Sequence, residues 1–226
     1  MVDIDVHGNE YFTDKKILDH AVADMTKIAA APFPGSGRDV QGELTNMIAT
    51  IGENMSLRRA ASLSVSDGVV VAYMHNSVAP DLGKIGVLVA LESTGDKAKL
   101  AALAKQLAMH VAAAKPQSLT VADLDKAAIE RERGVLAEKA AQSGKAADII
   151  AKMVEGGLRK FHQEVVLLEQ LFVIDGKSRV SKVVDEAAKQ VGAPVRLAGF
   201  LRFQLGEGIE KKSEDFAAEV AAQLKK

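Results

Sequence analysis

Leu57-Arg58-Arg59-Ala60-Ala61-Ser62-Leu63-Ser64-Val65, then Ser66-Asp67-Gly68, then Val69-Val70-Val71-Ala72-Tyr73-Met74, is the stretch on which the fold turns. Two apolar, β-branched runs flank an Asp-Gly pair, the pattern of a β-hairpin. Downstream, Pro80 and Gly83 mark a loop, and Ile85-Gly86-Val87-Leu88-Val89-Ala90-Leu91 reads as a third strand. The sum is a small three-stranded antiparallel sheet, which needs a helical layer on one face to be stable.

Helices on both sides supply that layer. Ile17, Ala21, Met25 and Ile28 recur at helical spacing and predict a helix over 11–31. Pro32-Phe33-Pro34-Gly35-Ser36-Gly37 breaks the chain into a loop. Val40, Leu44, Met47, Ile48 and Ile51 then predict a second helix that Gly52 ends. Asp96 is placed to cap a third, whose stripe is Leu100, Leu103, Leu107, Val111 and Ala114 and whose end is Lys115-Pro116.

From 121 to 163 the pattern is different. Thr120 and Asp123 have capping-box spacing. Two helical runs follow, joined only by Gln142-Ser143-Gly144-Lys145. Ala128, Ile129, Val135, Leu136 and Ala140 line the first run, and Ile150, Val154, Gly157 and Phe161 the second. Narrow seams on a tight joint predict an antiparallel coiled-coil hairpin with charged outer faces. Beyond it, 164–173 reads as a strand, 178–190 as a helix, 199–205 as a strand, and Ser213 caps a last helix on Phe216, Val220 and Leu224.

The chain echoes itself at an offset of 140. Val40, Leu44, Ile48, Ile51 and Gly52 match Val180, Val184, Ala188, Val191 and Gly192, and Leu57 matches Leu197. The expected fold is therefore α+β. Two similar subdomains, 1–117 and 164–226, each hold a small three-stranded antiparallel sheet with helices, and the hairpin 118–163 is inserted between them.

Composition narrows the function. With 29 Lys+Arg against 30 Asp+Glu the net charge is −1. That balance lacks the basic excess of a protein held to nucleic acid by phosphates. There are no cysteines, which removes thiolate chemistry and Cys-ligated zinc. No apolar run is long enough to cross a bilayer, and Met1-Val2-Asp3-Ile4-Asp5 lacks the shape of a signal peptide, so a cytoplasmic site is expected.

A search for chemistry finds little. His7, His20, His75, His110 and His162 include no His-x-x-x-His pair, so no metal site is expected. Gly35-Ser36-Gly37 and Gly206-Glu207-Gly208 are turn glycines rather than phosphate loops, and no Gly-x-Ser-x-Gly elbow exists. Arg58-Arg59 reads as solvated surface and the methionines as packing. His110 lies at the edge of its helix's apolar stripe, which reads as a boundary histidine bonded to backbone. Architecture without a catalytic cluster favours a protein that works by touching another protein.

Six segments resemble the elongation factor Ts family in order: Ile51-Gly52-Glu53-Asn54-Met55-Ser56-Leu57-Arg58-Arg59, Lys84-Ile85-Gly86-Val87-Leu88-Val89, Leu107-Ala108-Met109-His110-Val111-Ala112-Ala113-Ala114-Lys115-Pro116, Gln142-Ser143-Gly144-Lys145, Lys152-Met153-Val154-Glu155-Gly156 and Phe203-Gln204-Leu205-Gly206-Glu207-Gly208-Ile209-Glu210. The resemblance runs from about residue 11 to the end. It implies two similar subdomains with a coiled-coil insertion, and guanine nucleotide exchange on elongation factor Tu, with no cofactor, no direct nucleic-acid contact and no bond made or broken. It also implies that Ile85, Gly86 and His110 contact the GTPase's nucleotide-binding domain, and that Gly199, Phe200, Arg202 and Phe203 contact its third domain. The small helical module and Thr-Asp-Phe-Val motif that open the family's proteins have no match here; Asp5-Val6 stands where the motif would end. The competing reading is a scaffold that binds the GTPase without efficient exchange.

Overall fold

The computed structural model describes residues 2–3 and 25–208. Among them lie strands β1 (Val2–Asp3), β2 (Gly68–Ala79), β3 (Leu82–Glu92) and β4 (Arg196–Gln204) and helices α1 (Met25–Ala29), α2 (Val40–Ile51), α3 (Lys97–Ala114), α4 (Lys126–Ala141), α5 (Ala147–Val165) and α6 (Val180–Val191). The class is α+β, with antiparallel strands throughout the sheet. The helix expected over 11–31 is described only as α1, and the final helix expected after Ser213 falls outside the described residues.

The hairpin is not at Ser66-Asp67-Gly68. β2 turns instead through Pro80-Asp81 into β3, with Asp81 at φ 58°, and pairs from Gly68↔Glu92 to Ala79↔Leu82, with a register shift between Ser77 and Ala79. Local contacts explain the difference. Ser93 N–H donates to the Asp67 carbonyl, while the Lys97 ammonium bonds both the Asp67 carboxylate and the Ser93 carbonyl. Those bonds tie Asp67 to the start of α3 and leave it unable to reverse the chain toward 57–65. That segment carries no strand assignment. It lies beside β4 through side chains, with the Arg59 guanidinium 5.0 Å from the Phe203 ring centroid and Leu63 in van der Waals reach of Gly199.

A second expectation also changes. The run 199–205 does not build a separate sheet; β4 pairs with β3, from Ile85↔Gln204 to Glu92↔Arg196. Among the described residues there is one sheet, with β3 at its centre, β2 on one edge and β4 on the other. The expected strand over 164–173 is absent as well. Helix α5 runs on to Val165, and Leu167–Glu169 is a 3-10 turn.

α3 covers the sheet. The Asp96 carboxylate accepts from the Ala98 and Lys99 N–H groups. The Lys99 bond first, and then the Ala98 bond, hold this carboxyl below the usual aspartate range. Leu100, Leu107 and Val111 are fully buried and Leu103 nearly so, against Val87, Val89 and Leu91 from β3 and Val180, Val184 and Val191 from α6. The sequence echo holds locally: α2 and α6 are both twelve residues long and both end on a left-handed glycine, Gly52 (φ 78°) and Gly192 (φ 83°). Their burial differs. α6 buries four residues and α2 none among the described residues, so Met47 and Ile51 stay exposed.

Helices α4 and α5 pack on one another around Ala140, Val154 and Leu158. The Thr120–Asp123 box closes a 3-10 turn before them, and Asp125 caps α4 itself. The two helices approach closely at Gly157, where a Cβ would sit 2.6 Å from Leu136 Cδ2. Gly157→Ala is therefore expected to cost about 1 kcal/mol, since Leu136 can partly yield. Hydrogen exchange should place the loss in α4 and α5 alone.

Candidate functional site: an apolar loop held from beneath

Bonds at both ends of α3 fix its direction. Its start is tied to Asp67 and, through Asp96 N–H, to the Val191 carbonyl. Its C-terminal part carries His110 and ends at Ala114. The loop after the 3-10 turn is bonded to that part.

This loop is Leu171-Phe172-Val173-Ile174-Asp175-Gly176. Its backbone folds on itself: Phe172 N–H donates to the Ser178 carbonyl at 2.8 Å, Gly176 N–H to the Phe172 carbonyl at 2.8 Å and Val180 N–H to the Gln170 carbonyl at 3.0 Å. Gly176 takes φ 65° to close the turn, a conformation that side chains disfavour. The Asp175 carboxylate accepts from the Lys177 and Ser178 N–H groups, and these bonds hold it below the usual aspartate range. Phe172 is buried, whereas Leu171, Val173 and Ile174 are 58%, 46% and 51% exposed. Three neighbouring apolar side chains left exposed on a hydrogen-bonded loop make it a candidate protein-contact surface. A groove beside it is lined by Lys160, Gln163, Glu164, Glu169, Leu171 and Arg179, with Glu169 and Arg179 paired at 2.8 Å.

The residues singled out from the sequence sit differently. Gly86 is buried and Ile85 half-buried inside the central strand. Gly199, Phe200 and Phe203 are half-buried on β4, and the Arg202 side chain is 7% exposed beside Glu207. His110 is not a boundary residue; it is fully buried. Its Nε2 lies 2.9 Å from Gln170 Oε1, its Nδ1 accepts from Val173 N–H at 3.2 Å, and its ring packs on Phe172 at 5.8 Å between centroids. The backbone bond expected for it is present, but from residue 173. Sequence reading missed this loop because 164–173 read as one strand, which absorbed Leu171, Phe172 and Val173. The Asp-Gly pair at 175–176, a turn signal next to them, could have exposed the loop.

Burial lowers the His110 pKa below its ordinary 6.5, with the Gln170 hydrogen bond acting in the opposite direction. The unfolded chain then binds more protons than the folded one just below pH 6.5. Stability carried by this group is complete above that pH and drains as the pH falls toward the lowered value. Thermal melts are expected to show a constant melting temperature from pH 7 to 8 and a decline below 6.5, and His110→Asn is expected to flatten that decline.

Among the described residues no helix is long and apolar enough to cross a membrane, and no group of three or more His, Asp or Glu side chains is arranged to hold a metal ion.

A family profile described as elongation factor Ts matches residues 11–207. Curated relatives carry the same description: one from Rhodospirillum centenum is 61% identical over 199 residues, covering 88% of this chain and 65% of the relative. One from Rhodospirillum rubrum is 59% identical over 207 residues, covering 91% and 67%. Another, from Zymomonas mobilis, is 58% identical over 223 residues, covering 96% and 72%. The chain spans about two thirds of the length of these relatives.

Proposed function

The chain belongs to the elongation factor Ts family, and from that premise we propose that it binds the nucleotide-free form of elongation factor Tu and promotes release of GDP during translation elongation. Exposed Leu171, Val173 and Ile174, on a loop braced by the core, are the observation that carries this reading. The loop meets the GTPase, and Gly199, Phe200 and Phe203 on β4 form a second contact region toward the partner's third domain. Ile85, Gly86, His110 and Arg202 act beneath the surface by holding these elements. Residues 1–117 and 164–226 make up the core subdomains, and 118–163 is the inserted coiled-coil hairpin. The protein is not an enzyme and acts in the cytoplasm, where elongation takes place.

The mechanism is thermodynamic linkage. A protein that binds empty GTPase more tightly than the GDP complex must weaken GDP binding by the same factor. A shift of ~10⁴-fold requires about 5.5 kcal/mol of differential binding. Only contacts that are stronger with the empty GTPase than with its GDP complex can supply it. Stopped-flow release of a fluorescent GDP analogue from elongation factor Tu tests the proposal. Acceleration that saturates with this protein is expected. A stable complex with unchanged release would identify a non-exchanging binder, and absence of any complex would overturn the reading.

A further inference from the structure

The buried pair under the exposed loop has an unambiguous hydrogen-bond assignment. Gln170 is 4% exposed, and its side-chain nitrogen lies 3.3 Å from the Ala114 carbonyl and 2.7 Å from the Glu164 carbonyl. Only the NH₂ end of an amide can serve two carbonyls, so Oε1 faces His110. An oxygen at that position requires the proton on Nε2. Nδ1 is then bare, and it accepts from Val173 N–H. The amide joins the ends of α3 and α5, and the imidazole passes that position on to the loop. A second proton on the imidazole would point an N–H at Val173 N–H and break the only bond that ties residue 173 to the core among the described residues.

We infer that Gln170 and His110 are positioning residues for the GTPase-facing loop: Gln170 selects the imidazole tautomer that captures Val173 N–H, and so makes presentation of Leu171, Val173 and Ile174 depend on a neutral His110. The inference rests on the reading of 171–174 as the contact surface. Charged and titratable groups on the surrounding elements leave the imidazole alone. Lys115 ends α3, Glu164 contributes only its carbonyl, Glu169 pairs with Arg179, Asp175 caps its own turn, and Tyr73 on β2 bonds to His75. His162 on α5 stacks near Phe161.

Site-resolved NMR separates His110 from the four other histidines. In the full chain, the protection of the Val173 amide, measured as its exchange rate relative to the intrinsic rate at each pH, is expected to fall at least tenfold as pH falls through the His110 midpoint. Affinity for nucleotide-free elongation factor Tu should fall along the same curve. Gln170→Glu places a carboxylate against Nε2, so midpoint and affinity loss should both move to higher pH by a unit or more. His110→Asn removes the titrating group; whatever its affinity at pH 8, binding to nucleotide-free elongation factor Tu should lose its pH dependence across this interval. That variant decides the matter if Gln170→Glu does not fold. A Val173 protection factor and an affinity that both stay constant through the His110 titration would overturn the positioning pair alone. An Ile174→Asp variant that binds as tightly as the parent would overturn the loop as the contact surface, and the inference with it.

Discussion

Replacing Val173 and Ile174 together by Asp is expected to weaken binding to nucleotide-free elongation factor Tu by about 100-fold or more while leaving the fold intact. Both side chains are about half exposed, so each has roughly 1 kcal/mol of apolar burial still to gain in a complex. The carboxylates forfeit that gain and add the cost of desolvating charge at an apolar contact. Together these exceed about 2.7 kcal/mol, and every 1.4 kcal/mol is tenfold in affinity. Stability should be almost untouched, because the loop is held by its backbone and by Phe172 rather than by these two side chains. Titration calorimetry with nucleotide-free GTPase, alongside a thermal melt, measures both quantities. Parent-like affinity would remove 171–174 from the interface. A large fall in melting temperature would show that the loop is part of the core instead.

The second large effect is on folding. Gly95 sits where the chain leaves β3 for α3, and a Cβ there would lie 2.4 Å from the Val191 carbonyl oxygen and 2.6 Å from Val191 Cγ1. The obstacle is partly backbone, so a rotamer change cannot relieve it. The same Val191 carbonyl accepts the Asp96 N–H at 2.9 Å, which ties α3 to the end of α6. Gly95→Val is therefore expected to push α6 off α3, break that bond and loosen the contact between Val191 and its neighbours in the core. A loss of about 3 kcal/mol or more follows from overpacking combined with an unpaired buried group. Urea unfolding should show a lower midpoint. Hydrogen exchange should rise first in α6 and in the start of α3. A parent-like midpoint would mean that α6 docks loosely.

Both expectations join residues that are distant in the chain, which is where reading the sequence loses power. Helices are local objects. The period of Leu100, Leu103, Leu107 and Val111, the cap at Asp96 and the stops at Gly52 and Gly192 were all legible, because every bond that makes them lies within four residues. Strand pairing is not local. Two apolar runs around Asp-Gly look like a hairpin whether or not they pair, and here Lys97 and Ser93 claim Asp67 first. Likewise the pattern of 199–205 marked a strand but not its neighbour, and its neighbour proved to be β3.

Amino-acid order alone determined the family, the helical framework and the lack of a recognisable catalytic motif, since each rests on residue identity and short spacing. Which apolar residues end up inside was decided by tertiary structure. His110, at the edge of its own helix stripe, became fully buried because α3 is covered on more than one side, by the sheet, by α6 and by the 170–173 segment. Four consecutive apolar residues at 171–174 divided into one buried and three exposed because the loop's own hydrogen bonds turn Phe172 inward and leave its neighbours facing solvent. Burial depends on what packs from elsewhere in the chain, and no window of sequence contains that.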